Sequence, residues 1–462
     1  MAKKIIIIGG GPGGYVAAIR AAQLGADVTV IEKKDLGGTC LNRGCVPTKT
    51  MLHSARCYRS VLNSREFGVY NTLQSFRFDK MIKRKDEIVQ TNVNGIKYLF
   101  QKNKIKSIQG TASLIDPSTV SVRCRDDKTE RLKADAILLA TGSEPLTPKF
   151  LKFDGDRVIT TTEALQLDQV PKSIAIVGGS VSGCEFASLF SQLGAEVHII
   201  EMLDRIVPTE DAEIASKLTN ALEKSGINIL TNSPVEAVER VYPSGDVKIA
   251  VKGHSSLQLG YCLLTLGRKL NTENIGLEHI GIKHTSAGIE VDDQMRTNIK
   301  TVYAVGDVTG KLLLAHVASE QGIIAVEHIM GKKVSMDYQS VPAFIYTHPE
   351  ISSVGKQEVE LKAEGTKYLT GKNYFKSNAM AMGMGMGEAD GFVKVLADAK
   401  SHQILGIHLI GPHATDLLAE AVMIIKNRMT VEQVKDVIHP HPTLSEVIKE
   451  AVLATVGEAI HG

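Results

Sequence analysis

The 462-residue sequence lacks a long apolar run; its first, Ile5 to Ile8, gives way to glycines at once. Four residues are too few for a signal-peptide core, and no later stretch reaches the roughly 18 apolar residues that a membrane span needs. A charge surplus is missing too. At a formal net charge of +2, nothing electrostatic points to nucleic acid or an anionic membrane as partner. Cysteine is sparse, and of six only Cys40 and Cys45 stand close together. A structural zinc site wants four ligands, usually as two short pairs, and here no second cysteine pair exists and His53 is the only nearby histidine. No metal is therefore expected. A reducing cytoplasm is the expected setting, and there closely spaced cysteines are mostly catalytic rather than stabilising. What remains is the composition of a globular enzyme, 43% apolar, on a chain too long for one ordinary core. Two to four domains follow.

One pattern occurs twice. IIIIGGGPGGYVAAIRAAQLGADVTVIE (5–32) aligns without a gap to IAIVGGSVSGCEFASLFSQLGAEVHIIE (174–201), at an offset of 169. Each reads strand, glycine turn, helix, then a strand ending in glutamate. In the first copy Gly9, Gly11 and Gly14 fall in the GxGxxG frame, with Gly13 beside them. Such glycines allow a tight turn, close approach of a pyrophosphate and close helix–strand packing, while the helix N-terminus faces the phosphate charge. Glu32 stands where a carboxylate would accept ribose hydroxyls. Two units imply two dinucleotides. The second copy keeps Gly178, Gly179 and Gly183 but has Ser180 in the middle, where a side chain could crowd the pyrophosphate or donate to it. Glu201 would pair with the free 2′-hydroxyl of NAD and repel the 2′-phosphate of NADP, so NAD is predicted, with Arg205 a nearby counter-charge.

Cys40 and Cys45 lie in GGTCLNRGCVPTK (37–49). In an ideal helix their Cα atoms would be roughly 8.7 Å apart, whereas a disulfide needs under about 7 Å. The segment must therefore be distorted, and Gly44 and Pro47 permit it. A strained bond is the more easily reduced. A helix beginning near Cys45 would also lower a thiol pKa through its N-terminal dipole. A redox couple is the reading that survives.

This segment resembles the active-site signature of the flavoprotein pyridine nucleotide-disulfide oxidoreductases. ILLATGSEP (137–145), TLGRKLNTE (265–273), VYAVGDVTGKLLLAHVASEQG (302–322), YTHPEISSVG (346–355) and HPHPTLSE (439–446) resemble further blocks of that family, in its order, so the resemblance covers essentially the whole chain. It implies an α/β fold with two Rossmann-like dinucleotide-binding domains, for FAD and NAD, and an α+β C-terminal dimerisation domain. The expected bounds are 1–148 and 273–340 for FAD, 149–272 for NAD, opened by the Asp154–Arg157 turn, and 341–462 for dimerisation. Beyond the glycine turn, the resemblance assigns Gly38, Thr39, Lys49, Ala112, Thr141 and Gly142 to FAD, with Gly306, Asp307, Ala315 and His316 from the later block. To NAD it assigns Gly267 and Arg268 with Ser180, Glu185 and Glu201. Ser180 and the pair Lys269–Leu270 depart from the family pattern.

The resemblance also implies roles. Cys40 meets the substrate thiol and Cys45 lies against the flavin. Lys49 approaches the flavin and pairs with Glu185. Of the two histidines in HPHP, His441, just before Pro-Thr, is the base, and Glu446 orients it; an imidazole titrates near neutral pH and a carboxylate fixes its tautomer. The base serves the partner subunit of a homodimer. The CLNRGC core and HPHPTLSE ending resemble the members that oxidise the dihydrolipoamide of lipoyl domains in 2-oxo acid dehydrogenase or glycine-cleavage complexes. Glutathione- and mercuric-reductase-like activity, or a non-catalytic flavin-bearing docking role, are the alternatives. His198, His284, His408 and the other four cysteines read as structural or solvated. Long helices are expected at 415–426 and 443–456, and MAMGMGMGE (380–388) reads as a loosened strand or loop.

Overall fold

The computed structural model describes residues 2–73, 75–385, 387 and 390–462. They form two compact units. One comprises the segments up to Thr50, Asp79–Leu146 and Gly267–Met336; the other comprises Met51–Phe78, Thr147–Leu266 and Asp337–Gly462.

In the first unit, Lys4–Ile8 is an inner strand of a seven-stranded sheet, flanked by Asp27–Glu32 and Ala136–Leu139. Val302–Ala304 extends one edge. Lys106–Asp116 pairs in parallel with Asp27–Glu32 and then leads into an antiparallel meander through Thr119–Cys124 and Thr129–Lys133. An unbroken isoleucine run suits a parallel strand covered on both faces. Ile5 and Ile7 enter the core on one side of the sheet, while Ile6 and Ile8 enter the core on the other. The helices Pro12–Gln23 and Ala315–Ile329 pack together over the first core. Gly322 permits that closeness, because a Cβ there would lie 2.4 Å from the Gly13 carbonyl oxygen.

The second unit repeats the motif. Glu196–Ile200 and Tyr261–Leu264 flank Ser173–Val177, with Asn228–Leu230 and Val158–Thr160 at the edges, all parallel. Asp154 shapes the turn ahead of this sheet, its carboxylate accepting the N–H groups of Asp156, Arg157 and Val158. A separate antiparallel sheet runs Ala343–Ile345, Glu350–Gly355, Ile404–Gly411, Phe392–Asp398, Tyr368–Tyr374. The helices Ala414–Lys426 and Glu446–Ala454 bury their apolar faces in its core. The fold is thus mixed α/β, with two Rossmann-type parallel sheets.

Two expectations need correction. The last helix starts at Glu446, not 443, because the Thr443 N–H donates to the Glu446 side chain and Thr443 Oγ1 to the Pro440 carbonyl. Within the methionine-rich run, Ala379–Gly383 is a short helix rather than strand or loop, with Asn378 capping it through the Ala381 N–H. Met386 and Glu388 of that run lie outside the described residues.

Candidate functional site

The first glycine turn follows directly from strand Lys4–Ile8. Gly9 adopts φ +107°, and a Cβ at Gly14 would lie 1.9 Å from the Gly9 carbonyl oxygen. Only hydrogen fits there, so helix Pro12–Gln23 seats tightly on the strand. Its N-cap, Gly11, offers no side-chain cap, and its first turn carries no acidic residue. The first-turn N–H groups therefore point where a pyrophosphate would bind, with the positive end of the helix dipole behind them. Glu32 braces this loop, one carboxylate oxygen accepting the Gly10 N–H at 2.7 Å and the other the Lys34 N–H at 2.7 Å.

The rest of the first group gathers around the same unit. Gly38 and Thr39 open helix Gly38–Arg43, and Ala112 is buried on strand Lys106–Asp116. Thr141 Oγ1 donates to the Asn271 carbonyl, and Asn271 Nδ2 donates to the Thr141 carbonyl, both at 2.8 Å. Gly142 takes φ +69° beside them. The Gly306 N–H donates to Gln321 Oε1 at 2.7 Å, which joins the 3-10 turn Gly306–Thr309 to the helix that Ala315 and His316 begin. Asp307 accepts a hydrogen bond from Ser143. Arg268 donates to both the Ser143 hydroxyl, at 2.6 Å, and the Ser143 carbonyl, at 2.7 Å. Gly267 and Arg268, grouped with the nicotinamide site in the sequence, thus fall in this unit, where Arg268–Leu270 pairs antiparallel with Ser143–Pro145. Lys269, in the departing pair, forms an ion pair with Glu273 at 2.7 Å. Ser143, Asn271 and Gln321 were given no role from the sequence; their partners lie 15 to 164 positions away.

The cysteines sit on either side of a helix break. Helix Gly38–Arg43 ends at Gly44, at φ −138° and ψ −111°, and helix Cys45–Leu62 begins with the next residue. A Cβ at Gly44 would press to 3.0 Å from the Thr39 carbonyl oxygen. The required distortion is therefore localised at this glycine. Pro47 is accommodated in the first turn of the new helix, where its missing N–H costs nothing. The pair is present as a dithiol, with Cys40 half-buried and Cys45 exposed. The hydrogen bond to Cys45, reinforced by burial, pushes the Cys40 thiol well up, and the Lys49 charge only partly opposes this. Cys40 thus keeps the shared proton, and Cys45, at a helix N-terminus, is the sulfur favoured as thiolate.

The second unit reproduces the cradle with Ser180 in place of the middle glycine. Gly178 also takes φ +107°, and a Cβ at Gly183 would lie 2.0 Å from the Gly178 carbonyl oxygen. Glu201 is buried, accepting the Gly179 N–H at 2.6 Å and the Leu203 N–H at 2.8 Å. Ser180 turns its hydroxyl to the Thr265 carbonyl, 3.3 Å away. Its helix, Val181–Gln192, has no side-chain cap and no acid in its first turn. This cradle, too, fits a dinucleotide. Glu185, on the same helix, is buried and accepts the Tyr346 N–H at 3.1 Å. Arg205 Nη2 donates to the Pro208 carbonyl at 3.2 Å.

Near the end of the chain, His441 Nδ1 meets Glu446 Oε1 at 2.8 Å, and the other carboxylate oxygen accepts the Thr443 N–H at 2.9 Å. Burial acts to raise the Glu446 carboxyl, but these two bonds outweigh it and hold the group below its ordinary range. The His441 side chain stays 75% exposed, with Nε2 left to face a reactant. Among the remaining thiols, Cys57 is exposed, and burial pushes Cys184 up and Cys262 to about 12. His408 is buried against the Lys356 carbonyl.

A redox dithiol beside one dinucleotide cradle, a second cradle, and a histidine–carboxylate pair define a class. Residues 3–322 match the family model for pyridine nucleotide-disulphide oxidoreductases, and residues 341–452 match the dimerisation domain of that family. The chain belongs to this family, and the second match supports a homodimer. Among relatives, it is 42% identical to a dihydrolipoyl dehydrogenase of Bacillus subtilis, over 99% of this chain and 98% of that one. It is 40% identical to the mitochondrial dihydrolipoyl dehydrogenase 1 of Arabidopsis thaliana, over 99% and 91%. The solved structure of LpdA from Mycobacterium tuberculosis superposes with a TM-score of 0.92 at 29% identity, over 98% of this chain and 99% of that one. No helix among the described residues is long and apolar enough to cross a membrane.

Proposed function

We propose that this chain is an NAD-dependent dihydrolipoyl dehydrogenase that oxidises dihydrolipoamide to lipoamide, with FAD and NAD as its cofactors. The observation that carries the reading is the Cys40–Cys45 pair across the Gly44 break, in a chain about 40% identical over its length to proteins of that name.

In the proposed cycle the pair begins as a disulfide. His441 Nε2 takes the proton from one thiol of dihydrolipoamide, while Glu446 holds the imidazole by Nδ1 and stabilises its cation. The substrate thiolate attacks Cys40, forming a mixed disulfide and releasing Cys45 as thiolate. The second substrate thiol then attacks its own bound sulfur, closing the lipoyl ring and releasing Cys40, which recovers a proton. FAD would be held by the first glycine turn and NAD⁺ by the second, and when bound they would supply the acceptor for the electron pair of the dithiol and the final hydride acceptor. Lys49 is assigned to the flavin, paired with Glu185, where its charge favours the reduced form. The proposed domains are 1–148 and 273–340 for FAD, 149–272 for NAD and 341–462 for dimerisation. A lipoyl domain of a multienzyme complex is the proposed partner, and the cytoplasm the proposed setting.

Steady-state rates decide the matter. The purified, flavin-loaded protein should turn over dihydrolipoamide with NAD⁺ and leave glutathione disulfide with NADPH essentially untouched. The reverse preference would replace this reading with a glutathione-reductase one.

A further inference from the structure

The loop from Asp436 to Ser445 carries His441 but has no helix or strand to hold it. Each histidine of His439-Pro440-His441-Pro442 precedes a proline, which biases its backbone away from helix. Side chains must therefore fix the loop. Downstream of His441, Glu446 and Asn378 do so, the latter donating from Nδ2 to the Thr443 carbonyl at 2.8 Å. Upstream, the geometry is a second histidine–carboxylate pair. His439 Nε2 meets Glu420 Oε1 at 2.6 Å, and its Nδ1 lies 3.3 Å from the Val437 carbonyl. Lys449 Nζ donates to that same carbonyl at 2.6 Å. The His439 side chain is only 6% exposed, whereas neighbouring Ile438 is 93% exposed. The buried residue in this stretch is the polar one, which hydrophobic burial does not explain.

The helix that carries Glu420, Ala414–Lys426, is itself anchored at its start: its first turn is bound by Glu350 through the Thr415 N–H and hydroxyl, at 3.1 and 2.7 Å. Glu350 in turn pairs with Arg56 at 2.8 Å.

We infer that His439 is a positioning residue for His441: with Glu420 it anchors the upstream end of the loop, so that the base is held between two fixed points. The inference rests on the reading of His441 as the base. The charged groups facing His439 are Glu420, from helix Ala414–Lys426, and Lys449, from helix Glu446–Ala454. The hydrogen bond to Glu420 holds the imidazole above its ordinary range, which favours the charged form in this contact.

The test compares two reactions of the flavin-loaded dimer. Oxidation of dihydrolipoamide needs the base; reduction of ferricyanide by NADH does not. His439→Ala and Glu420→Gln should lower kcat for dihydrolipoamide about tenfold, within the cost of misplacing a reacting group. KM should change little and the ferricyanide rate should hold. His439→Gln, which can still donate to Glu420, should recover most of the loss. Unchanged dihydrolipoamide turnover in His439→Ala and Glu420→Gln overturns the inference, as does a parallel fall of both reactions in all three variants, which would mark a merely structural role. His441→Gln run alongside separates the two levels: if it too turns over dihydrolipoamide at the full rate, the base assignment beneath has failed.

Discussion

Replacing either Cys40 or Cys45 with serine is expected to stop dihydrolipoamide oxidation, on the order of a 10⁶-fold loss, the scale on which removing a covalent nucleophile acts. The two variants should differ in a second respect. Cys40 holds the shared proton, because its hydrogen bond to Cys45 and its burial both raise it. Cys45 stands at the start of helix Cys45–Leu62, where the dipole favours a thiolate. Cys40→Ser replaces one donor by another and should leave the Cys45 thiolate in place. Flavin-loaded Cys40→Ser should therefore show the long-wavelength absorption of a thiolate against the flavin, and Cys45→Ser should not. If the band persists in Cys45→Ser and vanishes in Cys40→Ser, the assignment of the two sulfurs is inverted.

The sequence pointed to that asymmetry through the expected helix start near Cys45, and it showed the need for distortion; it did not show that Cys40 would be the sulfur pushed up. The Cys-x4-Cys spacing excludes a continuous helix, and Gly44 was the residue able to break it. What raises Cys40 is its hydrogen bond to Cys45 across the break, reinforced by burial against a core that includes Leu41 and Ala18. The two nucleotide units were more legible still, because Gly14 presses on Gly9 and Gly183 on Gly178 within one short turn, and the repeat at 169 keeps that contact. Glu32 and Glu201 were legible only in part. Their position predicted ribose recognition, yet in the fold one oxygen of each already accepts a main-chain N–H of the glycine turn, and the other accepts the N–H two residues beyond the glutamate. The carboxylate is first a brace for the phosphate loop, a role that sequence spacing does not display. Least legible were the long-range ties. Arg268 reads, by chain position, as part of the nicotinamide block, and only folding brings it to Ser143 and Asp307. His439 was passed over for its neighbour because nothing local reveals Glu420 across the loop.

The repeat also permits the two cradles to be disabled separately. At Gly14 an added methyl would lie 1.9 Å from the Gly9 oxygen, and at Gly183 2.0 Å from the Gly178 oxygen. Neither oxygen can retreat freely. The Gly9 N–H is bound to the Ile31 carbonyl and the Gly178 N–H to the Ile200 carbonyl, so each turn is tied to its own sheet. Helix and strand must separate instead, at a cost of roughly 1–3 kcal/mol of overpacking. The displaced N–H groups then miss the pyrophosphate, which corresponds to about a 10- to 100-fold loss of affinity. Gly14→Ala should accordingly purify pale, with flavin content well below the wild type. Gly183→Ala should purify yellow, with its dithiol still reducible by dihydrolipoamide, while its affinity for NAD⁺ by equilibrium titration falls by that factor. Retained flavin in the second variant certifies that the chain has folded, so its loss of NAD⁺ binding reports on the cradle alone. Wild-type NAD⁺ affinity in Gly183→Ala would mean that the nucleotide does not sit against this turn, and would leave the second copy as scaffold only.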